Sequence, residues 1–170
     1  GGNMEGSSFA TGHNVEINSE GVRIDKTLNL KSGNGNISIK GKTSTRNVNT
    51  DGYGNSGFGI YYLTSNGVID SGTGTITIEG INQNETEKTD YSSGIVFALN
   101  NNNSVTIKSE SPESNAISIT GIAQGTNRSN FGMEVETNSP LHILATGTGG
   151  GISINTSQNS TSTDAKYDLV

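Results

Sequence analysis

The sequence predicts an all-β chain folded as a parallel β-solenoid of about four coils, with three short strands in each coil. The first observation is an internal repeat: Asn36-Ile37-Ser38-Ile39-Lys40-Gly41, Thr75-Ile76-Thr77-Ile78-Glu79-Gly80, Ala116-Ile117-Ser118-Ile119-Thr120-Gly121 and Gly151-Ile152-Ser153-Ile154-Asn155. Each copy alternates apolar and hydroxyl residues with period two, which puts an isoleucine pair on one face of a strand and Ser or Thr on the other. The second observation is a signature upstream of each copy, Gly21-Val22-Arg23-Ile24, Gly59-Ile60-Tyr61-Tyr62, Gly94-Ile95-Val96-Phe97 and Gly132-Met133-Glu134-Val135, whose glycines are 38, 35 and 38 residues apart. A sandwich or jelly roll of about twelve short strands also alternates, but it gives no reason for one strand order to recur.

Taken in order, each repeat opens with the glycine signature and continues through a short middle strand. These middle strands are Leu28-Asn29-Leu30, Val68-Ile69, Val105-Thr106-Ile107 and Leu141-His142-Ile143. Polar corners follow at Ser32-Gly33-Asn34-Gly35, Ser71-Gly72-Thr73-Gly74 and Thr146-Gly147-Thr148-Gly149, where glycine and asparagine accept positive φ, and the same corner is expected in every coil. The isoleucine strand closes the repeat. Behind it come tails of 17, 13 and 10 residues, 42–58, 81–93 and 122–131. Length variation at one fixed place is how a solenoid takes insertions outside its core.

Stacking such coils predicts interior ladders of like residues: Ile37/Ile76/Ile117/Ile152, Ile39/Ile78/Ile119/Ile154, and Ile24/Tyr62 or Leu63/Phe97/Val135. His13-Asn14-Val15-Glu16-Ile17 reads as the last strand of a preceding coil, and Tyr167-Asp168-Leu169-Val170 as the first of a following one. Residues 1–170 are therefore expected to form a single β-solenoid segment of a longer repetitive protein.

Composition fits a thin solenoid. Only 29% of residues are hydrophobic and 5% aromatic, which in an unpatterned chain signals disorder; here the apolar residues sit at strand positions, and each coil needs only a handful. No apolar run approaches 18 residues, and the opening Gly1-Gly2-Asn3-Met4-Glu5 lacks a basic stretch followed by an apolar one, so neither membrane insertion nor a signal peptide is expected. A net charge of −6 with scattered basic residues argues against nucleic acid as a partner. Cysteine is absent. That suits either a ladder that needs no disulfide staples or a chain that crosses a narrow pore unfolded.

Chemical signatures are sparse. His13 and His142 lie among alternating residues, and His142 between Leu141 and Ile143 points outward; no HExxH, CxxC, GxSxG or phosphate-loop pattern occurs. No catalytic residue, metal ligand or cofactor is expected. A polysaccharide lyase or glycosidase is the rival reading, because such enzymes need clustered carboxylates on one face. The positions level with Asp70, however, are Lys31, Lys108 or Ser109, and Leu144, while the position after the isoleucine pair reads Lys40, Glu79, Thr120, Asn155. The outward row Ser38, Thr77, Ser118, Ser153 admits ice binding, but ordinary β-propensity and cross-strand hydrogen bonding account for it equally well. The tails are the distinctive parts: Tyr53, Tyr91 and Arg128 are the candidate contacts for a cell-surface protein or glycan, and the sequons at Asn84 and Asn127 are the attractive glycosylation acceptors.

Runs such as Gly72-Thr73-Gly74-Thr75-Ile76-Thr77-Ile78 and Ser114-Asn115-Ala116-Ile117-Ser118-Ile119-Thr120-Gly121, with no cysteine and abundant Asn, Gly, Ser and Thr, resemble filamentous-haemagglutinin-type exoproteins, over roughly residues 13–154. Autotransporter passengers share the style. The resemblance implies a right-handed parallel β-helix, display at the bacterial cell surface or secretion, an outer-membrane transporter as partner during two-partner export, and adhesion to host or bacterial surfaces.

Overall fold

The computed structural model describes residues 9–11, 20–43, 57–64, 66–83, 92–99, 103–124, 130–136 and 140–158. Among these residues there is no helix, and the strands follow one another with a fixed period. They are β1 (Ala10–Thr11), β2 (Val22–Ile24), β3 (Leu28–Lys31), β4 (Ile37–Lys42), β5 (Phe58–Thr64), β6 (Gly67–Asp70), β7 (Ile76–Asn82), β8 (Ser92–Leu99), β9 (Val105–Ser109), β10 (Ile117–Ala123), β11 (Asn130–Glu136), β12 (Leu141–Ala145) and β13 (Ile152–Gln158).

Every third strand pairs with its equivalent, always parallel. Sheet A runs β1-β4-β7-β10-β13, sheet B runs β11-β8-β5-β2 and sheet C runs β12-β9-β6-β3. The chain is a parallel β-helix with three strands per coil. Parallel pairing without helical crossovers is satisfied because each strand's successor in its sheet arrives one whole coil later.

The isoleucine repeats stack in register, Ile37↔Ile76↔Ile117↔Ile152 and Ile39↔Ile78↔Ile119↔Ile154. In sheet B the third ladder is Ile24↔Tyr62↔Phe97, continued by Val135, so Tyr62 and not Leu63 is the inward residue. These ladders, with Ile69 and Ile107 from sheet C, form one core. Ile76, Ile117 and Ile119 are fully buried, whereas Ile152 and Ile154, on the edge strand β13, are 45% and 38% exposed. Burying an isoleucine fully is worth about 1.5–3 kcal/mol, so the middle coils carry most of the stability.

Two details depart from the sequence reading. The corner between sheets C and A is short and alike in the first two coils, with Gly33 and Gly72 at positive φ, but lengthens in the next two, where Lys108 and Leu144 lie farther from Ile117 and Ile152. In the third coil, buried Ser109 and Ser111 fill this longer corner: Ser109 Oγ donates to the Gly74 carbonyl at 2.7 Å and accepts from the Ser111 amide at 3.0 Å. The strand preceding β4 in sheet A is Ala10–Thr11, paired as Ala10↔Gly41 and Thr11↔Lys42; the segment 13–17 expected to fill that place lies outside the described residues, as does 167–170.

Sheets A and B meet along a seam of glycines. A Cβ on Gly80 would strike the Gly94 carbonyl, and one on Gly121 the Gly132 carbonyl. The two glycine columns recognised in the sequence are thus each other's contact surface, and the backbones approach closely because neither carries a side chain.

Candidate functional site

The inserted segments all leave from the corner between sheets A and B. The sheet A strands run one or two residues past the repeat motif, to Lys42, Asn82 and Ala123, and sheet B resumes at Phe58, Ser92 and Asn130. The insertions are therefore shorter than the sequence suggests. Tyr53, Tyr91, Arg128, Asn84 and Asn127 fall within them and lie outside the described residues, so what the structure describes is their mounting.

That mounting is polar and buried. Asn82 Nδ2 donates to the Gly57 carbonyl at 2.6 Å, the Gln83 amide donates to Thr43 Oγ1 at 2.7 Å, and the Ser93 amide donates to the Gly57 carbonyl at 3.2 Å. Thr43, Asn82 and Ser93 are fully buried. Removing one partner from such a site strands the other, at a cost of about 1–3 kcal/mol. The insertions consequently emerge from fixed points.

Beside this corner, the outer face of sheet B carries a cluster that alternation alone does not disclose. Phe58 stacks on Tyr61, ring centroids 4.8 Å apart and planes at 16°, and the Arg23 guanidinium lies over the Tyr61 ring at 5.4 Å. Phe58 has the parity of inward Ile60 yet belongs with outward Tyr61 and Leu63, because the alternation breaks at Gly59, where the chain turns against sheet A. Val96 and Ala98 complete the cluster and are buried although they stand on the outer face. A glycine flanked by two large apolar residues, Phe58-Gly59-Ile60, is the sequence signal that marks the break.

Arg23 is fixed by two carboxylates, Asp25 at 2.6 Å and Glu20 at 3.0 Å. Its hydrogen bond to Asp25 raises the guanidinium pKa further above its ordinary value. Glu134, at the far end of the same column, accepts from Ser93 Oγ at 3.1 Å. The aromatic and cationic groups here are engaged with one another within the chain.

Several carboxylates elsewhere are matched individually. Level with Asp70 stand Lys31 and Lys108, with Leu144 after them, and Asp70 Oδ1 accepts from the Gly72 amide at 2.9 Å. Lys40 and Glu79, neighbours in adjacent coils, form an ion pair at 3.2 Å with both side chains about one quarter exposed, a contact worth about 0.2–1 kcal/mol. Lys108 pairs with Glu110, whose hydrogen bond raises the lysine pKa. Among the described residues no group of three or more His, Cys, Asp or Glu is placed to hold a metal ion. His142 is exposed on sheet C beside Thr106, and His13 lies outside the described residues. The hydroxyl row Ser38, Thr77, Ser118, Ser153 is in register on the outer face of sheet A, next to the row that contains Lys40 and Glu79.

Comparison with protein-family models, with curated proteins and with solved structures found no match.

Proposed function

We propose that the chain is a structural and adhesive segment of a large secreted bacterial surface protein of the filamentous-haemagglutinin type, a stiff shaft that presents variable loops to a cell-surface protein or glycan. One observation supports this reading above the others. The three sheets stack without interruption, while the insertions of differing length all leave from a single corner rooted in Thr43, Asn82 and Ser93. Backbone ladders resist bending because every coil is bonded to its neighbours throughout its strands, and loops at one corner tolerate change without disturbing them. Export through an outer-membrane transporter before folding accords with a chain that has no cysteine to oxidise early.

The test is a glycan-array and cell-binding screen of the intact chain beside a variant with Tyr53, Tyr91 and Arg128 all replaced by alanine. Weak binding that the triple substitution reduces is the expected result. Turnover of a polysaccharide that is lost on changing one carboxylate replaces this reading with that of a carbohydrate-active enzyme. Absence of binding rejects the adhesive role and leaves a spacer. For the export route, a transporter gene adjacent to the full-length gene is the expected finding.

A further inference from the structure

Two Asn-Gly peptide bonds occur in the chain, Asn34–Gly35 and Asn66–Gly67, and the fold holds them in opposite ways. Asn34 and Gly35 are exposed in the first corner, in a turn whose Gly33 has φ +75°. Among the described residues the Gly35 amide makes only a long bond to the Ser32 carbonyl, 3.4 Å, and a Cβ at Gly35 would meet nothing nearer than 3.8 Å. Gly67 is buried; its amide donates to the Ser104 carbonyl at 3.0 Å. The Asn66 side chain is also held at both ends, Oδ1 by the Ser104 amide at 2.9 Å and Nδ2 on Asn103 Oδ1 at 3.2 Å.

We propose that Asn34 is a site of spontaneous, non-enzymatic covalent modification, in which the Gly35 backbone nitrogen attacks the Asn34 side-chain carbonyl carbon. A new N–C bond forms, the Gly35 amide proton passes through solvent to the side-chain nitrogen, and the old C–N bond breaks to release ammonia. The cyclic imide that results takes up one water and opens to aspartate or to β-linked isoaspartate; no oxidant or reductant is involved. Thr73, one coil on, donates its hydroxyl to Asn34 Oδ1 at 3.1 Å. That is the oxygen on which negative charge develops during the attack, so Thr73 acts as a preorganised donor to it; Asn66 Oδ1 has a donor too, and the two sites differ in the attacking nitrogen, which at Gly67 is buried and bonded to the Ser104 carbonyl.

The corner is one where such a change registers. Gly72 of the next coil is so close to the Gly33 carbonyl that a Cβ there would overlap it. An isoaspartate inserts one extra backbone carbon beside this contact. The equivalent position in the second coil is Thr73 itself, which has no amide to lose.

The test incubates the folded chain in mildly alkaline buffer and follows both sites by peptide mass spectrometry and isoaspartyl methylation. Conversion at Asn34 should outpace that at Asn66 by about tenfold or more, the ratio given by an opening free energy of only about 1.4 kcal/mol at Gly67. In denaturant the two rates should converge. Gly35→Ala, which the open surroundings of Gly35 accommodate, should slow conversion at residue 34 without lowering the melting temperature. Thr73→Val should slow it in the folded chain and leave the denatured rate unchanged. Equal rates at the two sites in the folded chain overturn the proposal, and a folded rate untouched by Thr73→Val overturns the part given to Thr73.

Discussion

The hydroxyl of Tyr62 occupies the space that a side chain at Gly67 would need. Gly67 stands at the inward position of sheet C, level with Leu28 and Val105, and a Cβ built there would overlap the Tyr62 oxygen and lie 3.3 Å from Cζ. Tyr62 itself is 1% exposed and packs against Phe97 at a centroid distance of 5.7 Å. One coil therefore fills its interior from sheet B where its neighbours fill it from sheet C.

This relationship predicts non-additivity. Gly67→Ala alone should destabilise by about 1–3 kcal/mol through overpacking. Tyr62→Phe removes the atom in conflict, so the double variant should be more stable than the sum of the single effects by about 0.5 kcal/mol or more. Thermal or urea unfolding of the four chains measures it. Strict additivity would show that the two residues do not share that space.

Much of this architecture was legible in the residues, and the reasons are physical. A repeated Ile-x-Ile pair followed by glycine states both the strand and the seam, since period two assigns the faces and the glycine column permits the close approach of sheets A and B. What was not legible came from exceptions to period. Val68-Ile69 gave no warning that Gly67 is the inward residue, because a missing side chain contributes nothing to a hydrophobic pattern. Phe58 faces outward against its parity because the alternation within β5 breaks at Gly59. The Arg23, Tyr61 and Phe58 stack joins residues from two coils, and only the register of β2 on β5 brings them together. The third corner, Ser109 to Ala116, is longer than the first two and lacks their positive-φ glycine, and the Ser109 and Ser111 hydroxyls bond its backbone instead.

The in-register core yields a sharper contrast between adjacent residues. Ile117 is fully buried between Ile76 and Ile152, while Ser118 points outward between Thr77 and Ser153. Ile117→Asp places an unpaired carboxylate in an apolar ladder and should cost on the order of 4 kcal/mol, whereas Ser118→Asp should stay within about 0.5 kcal/mol. Equal losses of melting temperature in the two variants would contradict the assigned faces.

The glycine seam makes a prediction that hydrophobicity does not. Gly121→Ala adds one methyl group to a buried position, but that methyl would lie against the Gly132 carbonyl, and main chain cannot rotate away as a side chain does. The expected cost is about 2–3 kcal/mol. In β13 the equivalent position holds Thr156, so Thr156→Gly, which there only loosens a half-buried strand position, should change stability by no more than about 1 kcal/mol. A neutral Gly121→Ala would mean that sheets A and B separate readily.

Shortening an insertion separates the mounting from what it carries. The roots of the second insertion are fixed, since Asn82 is buried and bonded to the Gly57 carbonyl and the Gln83 amide is held by Thr43 Oγ1. Replacing residues 84–90 with a brief Gly-Ser link leaves those bonds intact and shortens a connection whose closure entropy varies only slowly with length. Circular dichroism and the melting temperature should therefore remain close to those of the parent chain. Extending the cut to include Asn82 and Gln83 should cost about 1–3 kcal/mol, because the Gly57 carbonyl and the Thr43 hydroxyl lose these partners inside the structure. Loss of the β signal on the shorter cut would show that residues 84–90 contribute to the stability of the coils themselves.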